Sequence, residues 1–347
     1  MEIPDRYKKE LEIPLRILEN VEKTHIGLGR LALFDVLSDI ANRCTMIIGP
    51  SGSGKSVCTD IVYDMTERTK LKLDAITVSG LKKIQKALSN NTLTIVVDDL
   101  SKGQTEYSQI ATVSVFSALC YAGSITKLTG QLELSIINFS GSALINLQPL
   151  LLKKIIKIPE FETDIRDKAI RYYHLRFPIQ ECLKRPSFDG IKITYPKEPK
   201  EVNGSKYFEL ALENFRYAFS KARAKEHLLA YLNASAELNK HPAINESDEW
   251  LIYQLTRCFR LEPVIFNKRD LEGSRYLNPN LIPLLTAIST YKKVQIKELV
   301  YRFGLSLKRL YEIINDLTEY VTIVKGKGLL IPTKTTIEIL KEIGEWK

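Results

Sequence analysis

Short apolar runs alternate with stretches of helical spacing along the first half of the chain. Runs rich in β-branched residues predict buried strands at 45–48, 75–78, 93–97 and 135–141. Apolar residues recur at helical spacing in Leu31–Ile40, which predicts a helix before the first strand. Strands that alternate with helical segments are typical of a parallel sheet flanked by helices, so this half is predicted to be α/β.

The pattern becomes mainly helical in the middle of the chain. Residues 161–177 are charged and aromatic, and a helix is predicted from about residue 163. A proline-containing loop insertion is predicted at about 178–206. Tyr207–Leu238 then reads as a long helical region, and a further helix is predicted at 246–260.

The last part of the chain has a different pattern. Helices are predicted at 281–291, 296–303 and 306–320, with Ser306 as the N-cap of the third. Two short strands at 321–324 and 329–332 flank a Lys-Gly-Lys-Gly turn. Three helices followed by a two-stranded hairpin resemble a winged helix-turn-helix domain, whose third helix is expected to enter a DNA major groove.

A glycine-rich loop follows the first apolar run. It fits G-x-x-x-x-G-K-[ST], in which glycine lets backbone N–H groups point at phosphate oxygens. The lysine places a charge near the β- and γ-phosphates, and the serine hydroxyl can ligate Mg²⁺. The predicted nucleotide-binding residues are Gly49, Pro50, Ser51, Gly52, Ser53, Gly54, Lys55, Ser56 and Val57.

Polar side chains end two of the predicted strands. Asp98 and Asp99 follow the run at 93–97, where Asp98 is predicted to hold Mg²⁺ with Ser56 and Asp99 to activate the attacking water. Asn138 lies in the run at 135–141 and is predicted to position that water beside the γ-phosphate. A turn-forming role is the alternative for Asn138.

Composition limits the classes of protein to consider. The 347 residues are 44% hydrophobic, enough for more than one packed domain. The five cysteines are scattered without a C-x-x-C, which argues against a disulfide framework. No apolar run is suited to a membrane span and no signal-peptide pattern is present, so a cytoplasmic location is expected. The net charge of +9 weakly favours a polyanionic partner.

The loop, the acidic strand end and Asn138 together resemble the AAA+ ATPases, as Walker A, Walker B and sensor 1. The resemblance covers residues 31–158 well and implies that ATP binds with Mg²⁺ between subunits of a ring or filament. Many hydrolysing members carry Glu where Asp99 stands, so the rate of hydrolysis stays open.

The same resemblance implies further roles. Arg223, on a helix similar to the sensor-2 helix of AAA+ lids, is expected to reach the γ-phosphate, with a surface arginine as the alternative. Residues 25–30 occupy the place that touches the base in many of these ATPases. The expected position of an arginine finger holds lysines instead, which leaves Arg166, Arg171 and Arg176 as unranked candidates.

Taken together, the sequence predicts a P-loop ATPase core at 1–160, a helical lid at 161–278 and a winged helix at 279–347. Lys308, Arg309, Lys325 and Lys327 are predicted to contact DNA, and a winged helix that binds protein is the alternative. The expected function is an Mg²⁺-dependent ATPase that acts on DNA in replication initiation, helicase loading or remodelling. A nucleotide-switched transcription regulator and a DNA translocation motor remain alternatives.

Overall fold

A computed structural model describes most of the chain. The described residues are 1–73, 76, 78–100, 105–129, 132–159, 161–179, 186, 188, 191, 193–202, 204–268, 275–277, 280–303, 306–324 and 326–346. Among them, no helix is both long enough and apolar enough to cross a lipid bilayer.

The described elements follow one another in this order. The strands are β1 Cys44–Ile48, β2 Thr69–Leu73, β3 Thr92–Val97, β4 Ile125–Thr129, β5 Leu132–Ile136, β6 Ser140–Leu147, β7 Ala169–Tyr173, β8 Phe266–Lys268, β9 Arg275–Leu277, β10 Val294–Gln295, β11 Val321–Val324 and β12 Leu329–Pro332. The helices are α1 Asp5–Lys8, α2 Glu12–Thr24, α3 Gly29–Ile40, α4 Lys55–Met65, α5 Val78–Leu88, α6 Glu106–Ala122, α7 Pro149–Ile155, α8 Lys206–Ala218, α9 Lys221–Leu238, α10 Glu246–Thr256, α11 Glu262–Ile265, α12 Leu281–Tyr291, α13 Ile296–Phe303, α14 Leu307–Asp316 and α15 Lys334–Glu342. Single turns of π- and 3-10 helix lie at Phe161–Ile165 and Arg257–Leu261.

A five-stranded parallel sheet forms the centre of the molecule, in the order β2-β3-β6-β1-β7. Strand β1 is buried along its whole length, as are β7 and all but the first residue of β6. Helices cover both faces of such sheets, which is why these strands are continuous apolar runs rather than alternating ones. The predicted α/β fold is therefore confirmed. Because the strands are parallel, the loops after β1, β3 and β6 all lie at the carboxyl ends of the strands, on one side of the sheet.

Helix α3 has no face in contact with solvent over most of its length. Every residue from Leu31 to Ile40 is inaccessible to solvent, because α2, α4, α9 and the sheet all pack around it. Its aspartates are consequently buried too. Asp39 accepts hydrogen bonds from Thr94 and Ser142, whereas neither carboxylate oxygen of Asp35 has a hydrogen-bond partner among the described residues.

The helical middle of the chain packs against the β7 edge of the sheet. Phe34 of α3 stacks on Tyr172 of β7 and on Tyr231 of α9, with ring centroids 4.1 and 5.2 Å apart. Nearby, Arg171 of β7 donates to the Glu262 carboxylate at 2.7 Å within the protein interior. A buried ion pair of this kind is costly to separate, so it holds β7 and α11 together.

Two sequence-based predictions in the sheet region differ from the structure. Residues 169–173 form β7 instead of a helix, and β7 pairs with β1, so the predicted boundary at 160 divides the sheet. The second strand lies at Thr69–Leu73 instead of 75–78, of which 75 and 77 are outside the described residues. The helical region predicted at Tyr207–Leu238 is confirmed as two helices, α8 and α9, which are separated at Phe219 and Ser220.

The carboxyl-terminal region agrees closely with its predicted pattern. Helices α12 and α13 and strands β11 and β12 have the predicted bounds, and the Ser306 hydroxyl accepts from the N–H of Arg309 as an N-cap. Helix α14 ends at Asp316, earlier than predicted. Strands β10, β12 and β11 form a small antiparallel sheet, and α15 follows it.

Candidate active site

The loop between β1 and α4 has the backbone that its glycines allow. Gly52 and Gly54 have φ angles of +71° and +79°, a region that side chains rarely adopt. A Cβ atom on Gly54 would also lie 2.5 Å from a methyl carbon of Leu28. Helix α4 begins directly after Gly54 without a side-chain cap, so its first N–H groups are available to an anion.

Lys55 folds back onto the loop. Its Nζ atom donates to the carbonyl oxygens of Gly49 and Pro50, both at 2.8 Å. Burial lowers the pKa of Lys55 to about 8, against the opposing effect of the Asp99 and Asp98 carboxylates. The ammonium group is thus held beside the loop and close to negative charge, where it can exchange carbonyl partners for phosphate oxygens.

His174 holds the loop through a hydrogen bond to its backbone. The sequence-based predictions do not include this residue. It follows β7, and its Nε2 lies 2.9 Å from the carbonyl oxygen of Ser53. Burial lowers the pKa of His174 to about 4, so the ring is neutral at pH 7 and Nε2 carries the donated hydrogen. A Cβ atom on Gly49 would come within 3.2 Å of the His174 carbonyl oxygen, so this glycine is required for the close packing.

A cavity of about 300 Å³ brings the loop together with the acidic strand end. It is lined by Ser51, Gly52, Ser53, Gly54, Lys55, Ser56, Val57, Asp98, Asp99, Asn146, Leu147 and Gln148. The Ser56 hydroxyl and two carboxylates supply the hard oxygen ligands that Mg²⁺ prefers. Gly49 and Pro50 do not line the cavity, and act instead through the carbonyls that hold Lys55.

Asn146 is the asparagine in this cavity. It lies near the carboxyl end of β6, opposite Ile47 of β1, and its Nδ2 donates to the Thr59 hydroxyl at 3.2 Å. Its Oδ1 is buried and accepts no hydrogen bond from the described residues. Because β6 lies between β1 and β3, this amide is placed between the loop and the acidic strand end.

The prediction that Asn138 lies beside the phosphates is wrong. Asn138 precedes β6 in a turn, with φ of +50°, and its side chain donates to Asn90, which precedes β3. Both residues are at the amino edge of the parallel sheet, whereas the loop is at the carboxyl edge. The run at 135–141 ends the β4–β5 hairpin and begins β6, so it is not one strand.

Arg223 is also remote from the loop. Its guanidinium lies 4.3 Å from the ring centre of Tyr121 and donates to Glu226 at 2.8 Å. Tyr121 is near the end of α6, which begins at the carboxyl edge of the sheet and ends at the amino edge. The sensor-2 prediction is therefore wrong, and no residue of α8–α11 lines the cavity.

The three arginines predicted as candidates for an arginine finger differ in accessibility. Arg171 is buried against Glu262 and is not accessible from outside the molecule. Arg176 donates to Glu345, and Arg166, which pairs with Glu162 at 2.7 Å, is the most accessible of the three.

Three of the four predicted DNA contacts are exposed in the carboxyl-terminal region. Lys308 and Arg309 are exposed in the first turn of α14, and Lys327 is exposed between β11 and β12. Arg309 donates to the nearby Glu312 at 2.7 Å. Lys325 lies outside the described residues. Tyr301 of α13 is 88% exposed, an unusual position for a tyrosine.

A second cavity, of about 430 Å³, lies behind the loop. Ile26, Gly27 and Arg30 contribute to its walls, within the segment at 25–30 that the sequence predicts to touch a base. The Glu22 carboxylate fixes this segment by accepting from the N–H groups of Gly27 and Gly29, at 2.8 and 3.0 Å. His174 lines this cavity while bonding to Ser53, so the two cavities share a wall.

Comparison of the chain with protein-family models gives no match, and comparison with curated proteins gives none either.

Proposed function

We propose that this protein is an Mg²⁺-dependent ATPase of the AAA+ type that acts on DNA. The observation that carries the proposal is the single cavity in which the glycine loop, Lys55, two carboxylates and an amide converge. Loop N–H groups and a lysine suit a phosphate chain, while carboxylates and a serine hydroxyl suit a hydrated Mg²⁺ ion. A structural turn would not need all four groups in one place.

In this proposal, the loop from Ser51 to Gly54 and the start of α4 bind the phosphates, and Lys55 neutralises charge on the β- and γ-phosphates. Ser56 and Asp98 hold Mg²⁺, which would neutralise the developing negative charge. His174 keeps the Ser53 carbonyl turned away from the phosphates, since it donates to that oxygen.

Asp99 and Asn146 are the groups proposed to act on the attacking water. The Asp99 carboxylate accepts a hydrogen bond from the water and takes up its proton during attack. The Asn146 amide, whose Oδ1 accepts no hydrogen bond from the described residues, is proposed to orient the water and so to fix its direction of approach. Asn146 thus takes the role that the sequence-based reading gave to Asn138.

The carboxyl-terminal region is proposed to be a winged helix that binds DNA. Its order of helices and its hairpin fit that motif, with α14 as the recognition helix and residues 326–328 in the wing. Lys308, Arg309 and Lys327 are accessible to phosphates. With an ATPase core, such a domain suits replication initiation, helicase loading or DNA remodelling by a homo-oligomer.

A nucleotide-switched transcription regulator is the second candidate, and Asp99 is the observation that favours it. Asp99 stands where many hydrolysing relatives of this type carry glutamate, and its side chain is one methylene shorter. A carboxylate set further from the water predicts slow hydrolysis, which suits a switch better than a motor.

Steady-state ATP hydrolysis, measured with and without double- and single-stranded DNA, tests the proposal. We expect Mg²⁺-dependent hydrolysis that is lost in Lys55→Ala, because no other described side chain replaces the ammonium in the cavity. Stimulation by DNA supports the loader or remodeller, and a slow rate indifferent to DNA supports the switch. Hydrolysis and nucleotide binding that persist in Lys55→Ala would refute the ATPase assignment.

A further inference from the structure

The cavity behind the loop has an apolar mouth. Ile26 and Ile179 are 37% and 60% exposed, which is unusual for isoleucine, and the N–H of Ile179 donates to the carbonyl of Ile26 at 3.1 Å. Phe177 and Tyr172 are buried and line the same cavity. The two hydrogen-bonded isoleucines and these rings give part of the cavity an apolar surface that suits a flat, hydrophobic ligand, while charged side chains make up much of the remaining lining.

This cavity also lies within reach of the phosphate loop. Leu28 follows Gly27, which lines this cavity, and packs directly against Gly54 of the loop. His174 also lines this cavity, and its ring contacts Ser53, which lines the loop cavity. A ligand with an aromatic ring joined to a phosphate chain could therefore occupy both cavities at once. A purine nucleotide has that form.

The carboxyl-terminal region supplies another wall. Lys292, Gly344 and Glu345 line the cavity. The Glu345 carboxylate is 8% exposed and bridges two arginines of the core, accepting from Arg30 at 2.9 Å and from Arg176 at 2.7 Å. The Lys292 ammonium lies 3.8 Å from the ring centre of Trp346, and this contact holds Trp346 close to the cavity.

Further hydrogen bonds fix this region in place. Arg176 donates to the carbonyl oxygens of Ser289 and Glu345 at 2.9 and 2.8 Å, and the N–H of Phe177 donates to the Thr290 hydroxyl at 3.0 Å. These hydrogen bonds therefore join residues of the cavity wall to one another and to α12. Removing Glu345 would leave two part-buried guanidinium groups without their carboxylate, which strongly disfavours the docked arrangement.

We propose that the last residues of the chain complete the nucleobase site, so that nucleotide binding and docking of the carboxyl-terminal region stabilise each other. We call the Glu345 bridge between Arg30 and Arg176 the latch, because it holds the carboxyl-terminal region against the core. This inference rests on the proposed function, because it assigns the second cavity to the base of the nucleotide bound at the loop. Through this coupling, nucleotide binding at the core would affect the proposed DNA-binding domain.

Linkage makes the coupling reciprocal. A ligand that contacts Lys292, Gly344 or Glu345 binds more tightly when those residues are docked, and it holds them docked by the same free energy. Inorganic tripolyphosphate has the phosphate chain without the base. It engages the loop alone, so its affinity is independent of the latch.

The test compares ADP with tripolyphosphate, each with Mg²⁺, on wild-type protein, Glu345→Ala and Glu342→Ala. Glu342 is the matched control, since it lies three residues away, pairs with Arg260 at 3.1 Å and does not line the cavity. We expect Glu345→Ala to weaken ADP binding by about tenfold and to leave tripolyphosphate affinity unchanged. Glu342→Ala should change neither.

Equal ADP affinity in wild-type protein and Glu345→Ala would overturn the inference and leave the ATPase proposal intact. An equal loss for ADP and tripolyphosphate would also overturn it, because the effect would then lie at the loop. Wild-type protein that binds neither ligand would overturn the proposed function itself.

Hydrogen exchange on the wild-type chain gives an independent measurement. The amides of Gly344, Glu345 and Trp346 donate to Lys341 and Leu340 carbonyls, so their exchange reports the order of the last turn, which carries the Glu345 that pairs with the core. We expect ADP to slow their exchange and tripolyphosphate to leave it unchanged. Exchange that is indifferent to ADP, under conditions where ADP is bound, would count against the latch.

Discussion

Asn146 shows how one side chain acquires its place from strand order. It is a polar residue near the end of an apolar strand, and the prediction that Asn138 lies beside the γ-phosphate depends on the same local pattern. Only the pairing of β6 with both β1 and β3 puts Asn146 between the loop and the carboxylates. The two asparagines are therefore a natural pair for testing the site.

We expect Asn146→Ala to lower kcat for ATP hydrolysis by about a hundredfold with little change in KM, because the attacking water loses its orientation. Asn138→Ala, at the opposite edge of the sheet, should hydrolyse ATP at the wild-type rate. Steady-state kinetics on both variants, with circular dichroism to confirm folding, makes the comparison. Similar losses in the two variants would contradict the assignment of Asn146.

Asp35 is a residue at which charge opposes folding. Burial raises its pKa well above the ordinary value of 3.8. Above pH 3.8 the unfolded chain has released this proton while the folded chain still holds it, so stability falls as pH rises. The loss is about 1.4 kcal/mol per pH unit until the folded-state pKa is passed.

Asp35→Asn should remove that loss. We expect its Tm to exceed that of the wild-type protein at pH 7 to 8, with the difference shrinking toward pH 4. Thermal unfolding of both proteins across this pH range provides the measurement. Curves that stay parallel from pH 4 to pH 8 would show that Asp35 is ionised in the folded state.

At the scale of elements, local signals predicted the carboxyl-terminal region and failed at β7. The glycine turn, the Ser306 cap and strong amphipathic spacing are all short-range, and they define α12 to β12 within a few residues. Strand β7 contains Arg171, which reads as a surface residue. Its partner Glu262 is distant in sequence, so nothing local shows that the charge is buried.

Helix α14 and the β11–β12 turn carry the prediction about DNA. Replacing Lys308, Arg309 and Lys327 with Ala should weaken binding to duplex DNA and reduce the slope of log K against log salt by about 0.9 per lost phosphate contact. The matched control replaces the exposed Lys82, Lys83 and Lys86 of α5, which removes the same charge from the core. Binding measured by fluorescence anisotropy at several salt concentrations distinguishes the two sets.

Equal effects of the two triple variants would indicate non-specific attraction to a basic protein. An unchanged affinity and salt slope in the α14 variant would instead favour a winged helix that docks a protein, for which the exposed Tyr301 is an available contact.

For the whole molecule, the candidate site divides into a part that sequence can predict and a part that it cannot. The glycine loop with Lys55 is contiguous, and the acidic pair ends an obvious strand, so both follow from pattern alone. Asn146, His174 and Glu345 come from three separate stretches of the chain, and the tertiary fold alone brings them to the two cavities or to the loop between them.

The strand that carries the loop also has a consequence for synthesis. Strand β1 pairs only with β6 and β7 among the described strands, and both follow it by a long stretch of chain. On the ribosome, Cys44–Ile48 must therefore wait as an unpaired apolar segment until residues 140–173 have emerged. The glycine-rich loop after this strand therefore acquires its folded surroundings late in translation. In the interval the exposed strand is open to aggregation or to chaperones.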